Sequence, residues 1–500
     1  MTQNGKSNYI AGEWVSARSG RTFESRNPAR TDEVIGVFAR SEREDVEAAA
    51  AAAQSAYPAW RRLPSPARAA ILSRAALLLE QRKEVIARQM TAEMGKVLVE
   101  ARGDVQEAID MAHYIAAFGR LPNGSLTPSE RPDIFCAARR APIGVVGLIT
   151  PWNFPIAIPS WKMFPALLAG NTVVLKPAED TPGLAVTFVE ILAEAGAPQG
   201  VVNLVTGLGE EAGAALVESP AVPVISFTGS TEVGRKIAAR CGMLMKRVSC
   251  ELGGKNAIVV MDDADIDLAL KGSLWSAFGT SGQRCTAAGR LIVHKRIGKA
   301  FRDALVDRTR ALRLGDGLDG NTDVGPVINK AQLARIHRYT EIGIAEGAVL
   351  ATGGAPAIDG RLGDGCFYTP TVFENVRPDM RIAQEEIFGP VTGIIEVDSM
   401  DEALRIANGT SYGLSLSIYT RDLRQAFLAM EELDAGIVYV NLPTSGAEIQ
   451  LPFGGTKQTG NGHREAGWMA MDFCTEWKSL YVNYSDSGNL VRAQIDTVEK

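Results

Sequence analysis

Cys285 lies in the run Phe278-Gly279-Thr280-Ser281-Gly282-Gln283-Arg284-Cys285-Thr286, and Glu251 heads Glu251-Leu252-Gly253-Gly254-Lys255-Asn256. A thiol in a glycine-loosened segment and a carboxylate at a Gly-Gly turn are the types needed for a nucleophile and a base that activates water. Gly279, Gly282 and Gly289 give this segment backbone that can approach a ligand. The plainer alternative for a single cysteine is core packing, and Cys241 and Cys250, among apolar or helical neighbours, read that way.

Other segments could serve such a pair. Thr150-Pro151-Trp152-Asn153-Phe154-Pro155 brackets an amide between prolines, either as an ordinary turn or as a fixed donor for a developing oxyanion. Lys176 and Glu179 follow an apolar run at 172–175, where doubly wound sheets bind ligands; a ribose grip and a solvated loop pair are both open. Gly207, Gly209 and Gly213 are spaced one residue too long for the dinucleotide fingerprint. Phe227-Thr228-Gly229-Ser230 is delivered by a strand pattern and opens a helix pattern, so its amides suit a pyrophosphate. No Gly-Lys-Ser/Thr follows, which disfavours nucleoside triphosphate chemistry.

These segments need elements to hold them. Residues 44–118 read as helical, entered by a capping-box pattern at Ser41-Glu42-Arg43-Glu44 and broken near Pro64 and Pro66. From 137–150 onward, strand and helix patterns alternate. Strands are expected at 172–175, 201–205 and 224–227, with helices at 182–195, 209–217 and 228–240. A second series places strands at 257–260, 291–294, 394–397, 414–419 and 437–441, with helices at 298–313, 330–347, 400–407 and 422–433. The fold class is therefore α/β with doubly wound parallel sheets. A terminal strand pattern at 477–484 must pair with another element or another subunit.

The 500 residues exceed one simple core, and 46% hydrophobic with 22% charged residues is ordinary globular composition. A net charge of −6 argues against a nucleic-acid surface. Six unpaired-looking cysteines and four histidines suggest no metal cluster and no disulfide framework, hence a reducing, cytoplasmic setting. No stretch approaches a membrane span, and residues 1–9 carry no secretory h-region.

Taken together, seven segments in order resemble the aldehyde dehydrogenase superfamily over nearly the whole chain. They are 151–155, 176–182, 227–234, 251–256, Gly282-Gln283-Arg284-Cys285, Glu385-Glu386-Ile387-Phe388-Gly389-Pro390-Val391 and Pro452-Phe453-Gly454-Gly455. The resemblance implies that the Cys285 thiolate attacks an aldehyde and that Asn153 and the Cys285 amide hold the oxyanion. Glu251 then activates the water that hydrolyses a thioester. Lys162 and Glu476 are implied as a proton relay for Glu251. For the cofactor, NAD with NADP possible, the implied residues are Thr150, Trp152, Lys176, Glu179, Gly209, Gly213, Phe227, Gly229, Ser230, Leu252, Glu386 and Phe388. The Glu179 carboxylate would repel a 2′-phosphate, favouring NAD. Phe154, Trp161, Arg284, Thr286, Thr444 and Phe453 are the implied substrate walls.

The implied architecture is a Rossmann-like NAD-binding domain (1–122 and 143–253) and a catalytic domain (254–462). Residues 123–142 and 463–500 form an oligomerisation flap and C-terminal tail, making a homodimer or homotetramer. Arg284-Cys285-Thr286, the run Gly460-Asn461-Gly462-His463-Arg464-Glu465-Ala466-Gly467 and Thr475-Glu476-Trp477-Lys478 resemble semialdehyde dehydrogenases of sugar-acid catabolism, including oxidisers of 2-oxoglutarate semialdehyde. A neutral aliphatic or aromatic aldehyde is equally open, since Glu448 in the loop 442–450 would oppose an anionic tail if it pointed inward. A CoA-acylating enzyme is the alternative chemistry, which Glu251 argues against. A catalytically idle homologue is the alternative class, which the intact Cys285, Asn153 and Glu251 argue against.

Overall fold

Val145–Ile149, Thr172–Lys176 and Asn256–Val260, strands around the site, are buried along their whole length, as parallel sheets covered by helices require. The computed structural model describes residues 7–486. It contains two seven-stranded sheets. In the first, the order is Arg247–Glu251, Val224–Thr228, Val145–Ile149, Thr172–Lys176, Val202–Leu204, Asn8–Ile10, Glu13–Val15, with the first five strands parallel. Chain order reverses between Val145–Ile149 and Val224–Thr228, which opens a crevice at their carboxyl ends.

The second sheet runs Val349–Thr352, Thr371–Glu374, Val391–Val397, Ala288–His294, Asn256–Val260, Ser415–Tyr419, Ile437–Val440, and only its first pair is antiparallel. Glu251 ends the last strand of the first sheet, and Asn256 begins the first strand of the second. Asn256 pairs with Ala288, just beyond Cys285. The carboxyl edge of one sheet thus meets the amino edge of the other, with thiol and carboxylate at that junction.

The helical stretch after residue 42 resolves into Arg43–Arg62, Ser65–Met94 and Leu98–Ala117. Its capping box sits one residue later than the pattern suggests: the Glu42 backbone N–H donates to Asp45 Oδ2 at 3.0 Å. Ser41 is instead buried, its hydroxyl donating to Asn8 Oδ1 at 3.0 Å. The helices Ala157–Ala169 and Ile266–Phe278 are additions to the sequence reading. Ala157–Ala169 is buried nearly all round and includes Pro159 and Pro165, so neither amphipathic period nor proline content announces it.

The C-terminal strand Thr475–Asn483 pairs antiparallel along its length with Ile134–Pro142, and Gly124–Thr127 takes the other edge. Residues 463–474 lead away from this flap. Ala466, Ala470, Phe473 and Cys474 pack into the core beneath the first sheet with Phe164 and Leu167. Residues 487–500, part of the expected tail, lie outside the described residues. Among the described residues no helix is long and apolar enough to cross a membrane, and no group of His, Cys, Asp and Glu could hold a metal ion.

Candidate active site

Three successive residues ahead of the thiol adopt left-handed backbone: Thr280 (φ 53°), Ser281 (φ 56°) and Gly282 (φ 68°). For a β-branched residue such as Thr280 this costs on the order of 1–3 kcal/mol and persists only where neighbours hold it. Glu100, on the helix Leu98–Ala117, does so. Its carboxylate accepts the Thr280 N–H at 2.9 and 3.0 Å and the Thr280 hydroxyl at 3.1 Å. The Ser281 hydroxyl donates to the Gly325 carbonyl at 2.7 Å. Gly282 must lack a side chain, because a Cβ there would lie 2.1 Å from the Gly389 carbonyl oxygen. After the nucleophile, Asn256 Nδ2 donates to the Cys285 carbonyl at 2.7 Å and the Ala287 carbonyl at 2.9 Å.

Cys285 and Glu251 open onto one cavity of about 370 Å³. Burial pushes the Cys285 thiol up to about 12, reinforced by Glu386 and Glu251, while its own N–H and that of Thr286 act the other way. The thiol therefore rests protonated and needs a base. Both Glu251 oxygens are buried without a protein partner. Burial first, then the nearby Glu465 charge, raise Glu251 well above the ordinary carboxyl range. Asn153 is buried, and its Nδ2 donates to the Gln283 carbonyl at 3.0 Å, two residues before the thiol.

The expected relay partner needs correction. Glu476 sits on the flap strand, its side chain 59% exposed and paired with Arg247 at 2.5 Å. The strand Thr475–Asn483 is exposed on both faces over nearly all its length, so Glu476 has no inner face to point into. Glu465 takes the inner position: it is buried, lines the cavity, and forms an ion pair with the fully buried Lys162. Lys162 also donates to the Ser226 hydroxyl at 2.9 Å. The sequence held Glu465 in plain view beside His463 and Arg464, but the bridge from Phe453 and the ion pair with Lys162 that bring it to the site are tertiary contacts.

Of the expected substrate walls, Phe154, Trp161, Arg284, Thr286 and Phe453 line the cavity. Trp161 and Phe453 meet edge to face at 4.9 Å. The Arg284 guanidinium lies 4.4 Å from the Trp275 ring centroid, donates to the Thr280 hydroxyl at 2.9 Å and reaches Glu100 at 3.3 Å. Thr444 is a second correction. It is fully buried behind the wall, its hydroxyl donating to the Thr286 carbonyl at 2.7 Å, and Ser445 takes the wall position. Glu448 is exposed and turned to Gln450, so it does not oppose an anionic tail from the cavity wall. Glu100, Glu107 and Trp275 on the wall were missed, having no local motif to mark them.

The remaining expected residues collect at the carboxyl edge of the first sheet. Lys176 Nζ pairs with Glu179 Oε2 at 3.0 Å. Ser230 caps the helix Thr231–Met243, its hydroxyl accepting the Val233 N–H at 3.3 Å. The Phe227 ring lies where a Cβ on Gly229 would fall, at 2.5 Å, and Leu252 packs against Gly234. Trp152 meets Phe388 edge to face at 5.4 Å. Glu386 accepts the Gly254 N–H at 3.0 Å. Gly213 is buried beside Lys176.

These residues fit a dinucleotide. The Thr150 hydroxyl is buried without a partner, the space beside Gly209 is open, and a helix N-terminus with a bare glycine before it faces the crevice. Thr150, Lys176, Glu179, Gly229 and Ser230 would hold the adenosine and pyrophosphate, with Glu386 and Phe388 nearer the thiol.

The aldehyde dehydrogenase family model matches residues 14–480. The alpha-ketoglutaric semialdehyde dehydrogenase of Bacillus subtilis (strain 168) is 44% identical over 483 residues, covering 96% of this chain and 98% of that one. The alpha-ketoglutarate semialdehyde dehydrogenase of Haloferax volcanii is 44% identical over 485 residues, covering 97% and 100%. Among solved structures, betaine aldehyde dehydrogenase from Staphylococcus aureus in complex with NAD+ superposes with a TM-score of 0.95 at 34% identity, covering 98% of this chain and 96% of that one.

Proposed function

The chain belongs to the aldehyde dehydrogenase family, and from that premise we propose that its substrate is 2-oxoglutarate semialdehyde, a short aldehyde ending in a 2-oxo carboxylate. It is an NAD(P)-dependent enzyme that oxidises an aldehyde to a carboxylic acid. The observation that carries the substrate reading is full-length 44% identity to two curated relatives named for this compound. Arg284 supports it as a cation on the wall one residue from the nucleophile.

In this reading Glu251, made basic by burial, takes the thiol proton and Cys285 attacks the aldehyde carbon. The Cys285 N–H and the second Asn153 amide hydrogen hold the oxyanion, where preorganised donors act most strongly. NAD, when bound, supplies the acceptor for the hydride that the carbon loses. The thiol proton passes from Glu251 to the Glu465–Lys162 pair; Glu251, again a carboxylate, then takes a proton from the water that attacks the thioester and returns it to the departing Cys285 sulfur. This base beside the thiol favours water over CoA as the acyl acceptor. The exposed Phe135, Trp477 and Tyr481 on the flap favour a homo-oligomer. Free cysteines throughout the described residues favour a cytoplasmic setting.

The test is NADH formation without CoA across 2-oxoglutarate semialdehyde, pentanal and betaine aldehyde. The 2-oxo semialdehyde should lead in kcat/KM, and Arg284→Met should raise its KM about tenfold or more. A flat profile would end the substrate reading, and activity only with CoA would end the hydrolytic one.

A further inference from the structure

The helix Leu98–Ala117 presents Glu100, Gly103, Asp104 and Glu107 to the cavity as one stripe, at the three- and four-residue spacing of a single helical face. Two of its carboxylates are fully engaged in holding the fold. Glu100 anchors the backbone before Cys285. Asp104 accepts from Lys96 Nζ at 2.9 Å and from the Ala157 N–H at 2.8 Å. Glu107 faces the same cavity and makes no hydrogen bond to any described residue. A carboxyl group turned to a substrate cavity with no protein partner is placed to take its partner from the ligand.

We infer that Glu107 reads the tail of the substrate: its carboxyl O–H donates to the distal carboxylate of an ω-carboxylated aldehyde while Arg284 faces that carboxylate from the nucleophile segment. The inference rests on the proposed substrate class and adds to it the residue that selects the tail. The charge around the cavity favours the neutral acid form. Burial raises Glu107 to about 8, helped by Asp104 and Asp110 on its own helix and opposed by Lys96 and Arg284. From the strand Ile437–Val440, Tyr439 also feels the Glu107 charge, together with those of Glu448 and Cys285. On the neighbouring helix Ser65–Met94, Lys83 is tied to Gln106 and Glu84 to Arg102, so neither serves Glu107.

Below about pH 8 Glu107 keeps its proton and donates; above it, the ionised group meets the substrate carboxylate as a like charge. The experiment measures KM and kcat from pH 6.5 to 9.5 for 5-oxopentanoate and for pentanal, with wild type, Glu107→Gln and Glu107→Ala. In the wild type, KM for 5-oxopentanoate should climb above pH 8 while its ratio to the pentanal KM climbs with it. Glu107→Gln, which keeps a neutral donor, should hold that ratio level across the range. Glu107→Ala should cut the 5-oxopentanoate preference about tenfold or more at pH 7, through KM rather than kcat. If the wild type prefers 5-oxopentanoate but both variants keep the same preference and the same pH course, Glu107 is not the selector and the substrate class stands. If the wild type shows no such preference at pH 7 while 2-oxoglutarate semialdehyde still leads pentanal, this inference falls and the substrate reading stands; if neither leads, both fall. A KM for betaine aldehyde that drops as pH rises, and does so only with Glu107 present, would overturn it in favour of a cationic tail.

Discussion

Two walls of one cavity carry carboxylates, and each divides them between groups held by the protein and one that is not. On the thiol side, Glu465 is paired with Lys162, while Glu251, raised by burial and by the nearby Glu465 charge, has no protein partner. On the helix wall, Glu100 and Asp104 spend their oxygens on backbone amides of distant segments, and Glu107 is the one left over. A buried carboxylate satisfied by N–H groups is architecture. One with no protein partner is available to water, proton or ligand.

Glu251→Gln should break the contrast most sharply. It removes the base but keeps the shape, so steady-state oxidation should fall by about a hundredfold or more. Wild-type turnover should rise with pH as Glu251 loses its proton, because the base acts deprotonated and its ionisation is shifted upward. A stopped-flow record should show the NADH-forming phase itself slowed in the variant, because Glu251 also takes the thiol proton, and no such pH slope. Glu100→Gln is next, and it probes architecture. With one oxygen fewer to anchor Thr280 and Arg284, it should lose about 1–3 kcal/mol of stability, read by denaturant titration, along with turnover. Stability close to wild type would mean the left-handed turn before Cys285 holds itself.

Glu465→Gln against Glu476→Gln sharpens the thiol side. The first leaves Lys162 buried with a weaker partner and should lower kcat about tenfold, with a fall in Tm. The second removes an exposed pair with Arg247 and should change stability by no more than about 1 kcal/mol. Equal effects on kcat would remove the assignment of Glu465. Glu179→Ser should give the smallest effect, a severalfold gain in kcat/KM with NADP relative to NAD. Its carboxylate is about two-fifths exposed, so its repulsion of a 2′-phosphate is screened.

The strands and their turns were legible because each buries a run of apolar neighbours and is punctuated by its own glycines. Thr172–Lys176, Val224–Thr228 and Asn256–Val260 fall within a residue of the sequence reading, while the β-like stretch 137–150 divides into Ile134–Pro142 and Val145–Ile149 in two different sheets. The helix Ala157–Ala169 was not legible, since burial on all sides erases the period that reveals a helix. Cys285, Glu251 and Asn153 stood out for the same local reason as the strands: each lies in a short motif whose glycines or prolines mark it. Glu465 and Glu476 could not be told apart by such a rule, for both are glutamates near the end of the chain.

By itself the sequence determined the α/β class, the order of the chemistry-bearing segments and the reaction they resemble, because these depend on neighbours a few residues apart. Which carboxylate meets Lys162, across 303 positions, was decided only by the tertiary structure. So was the anchoring of the nucleophile turn by Glu100 across 180 positions. A charged group takes its role from the partners and the burial it meets in space. Those are set by how two sheets close on each other, and no short stretch of sequence contains them.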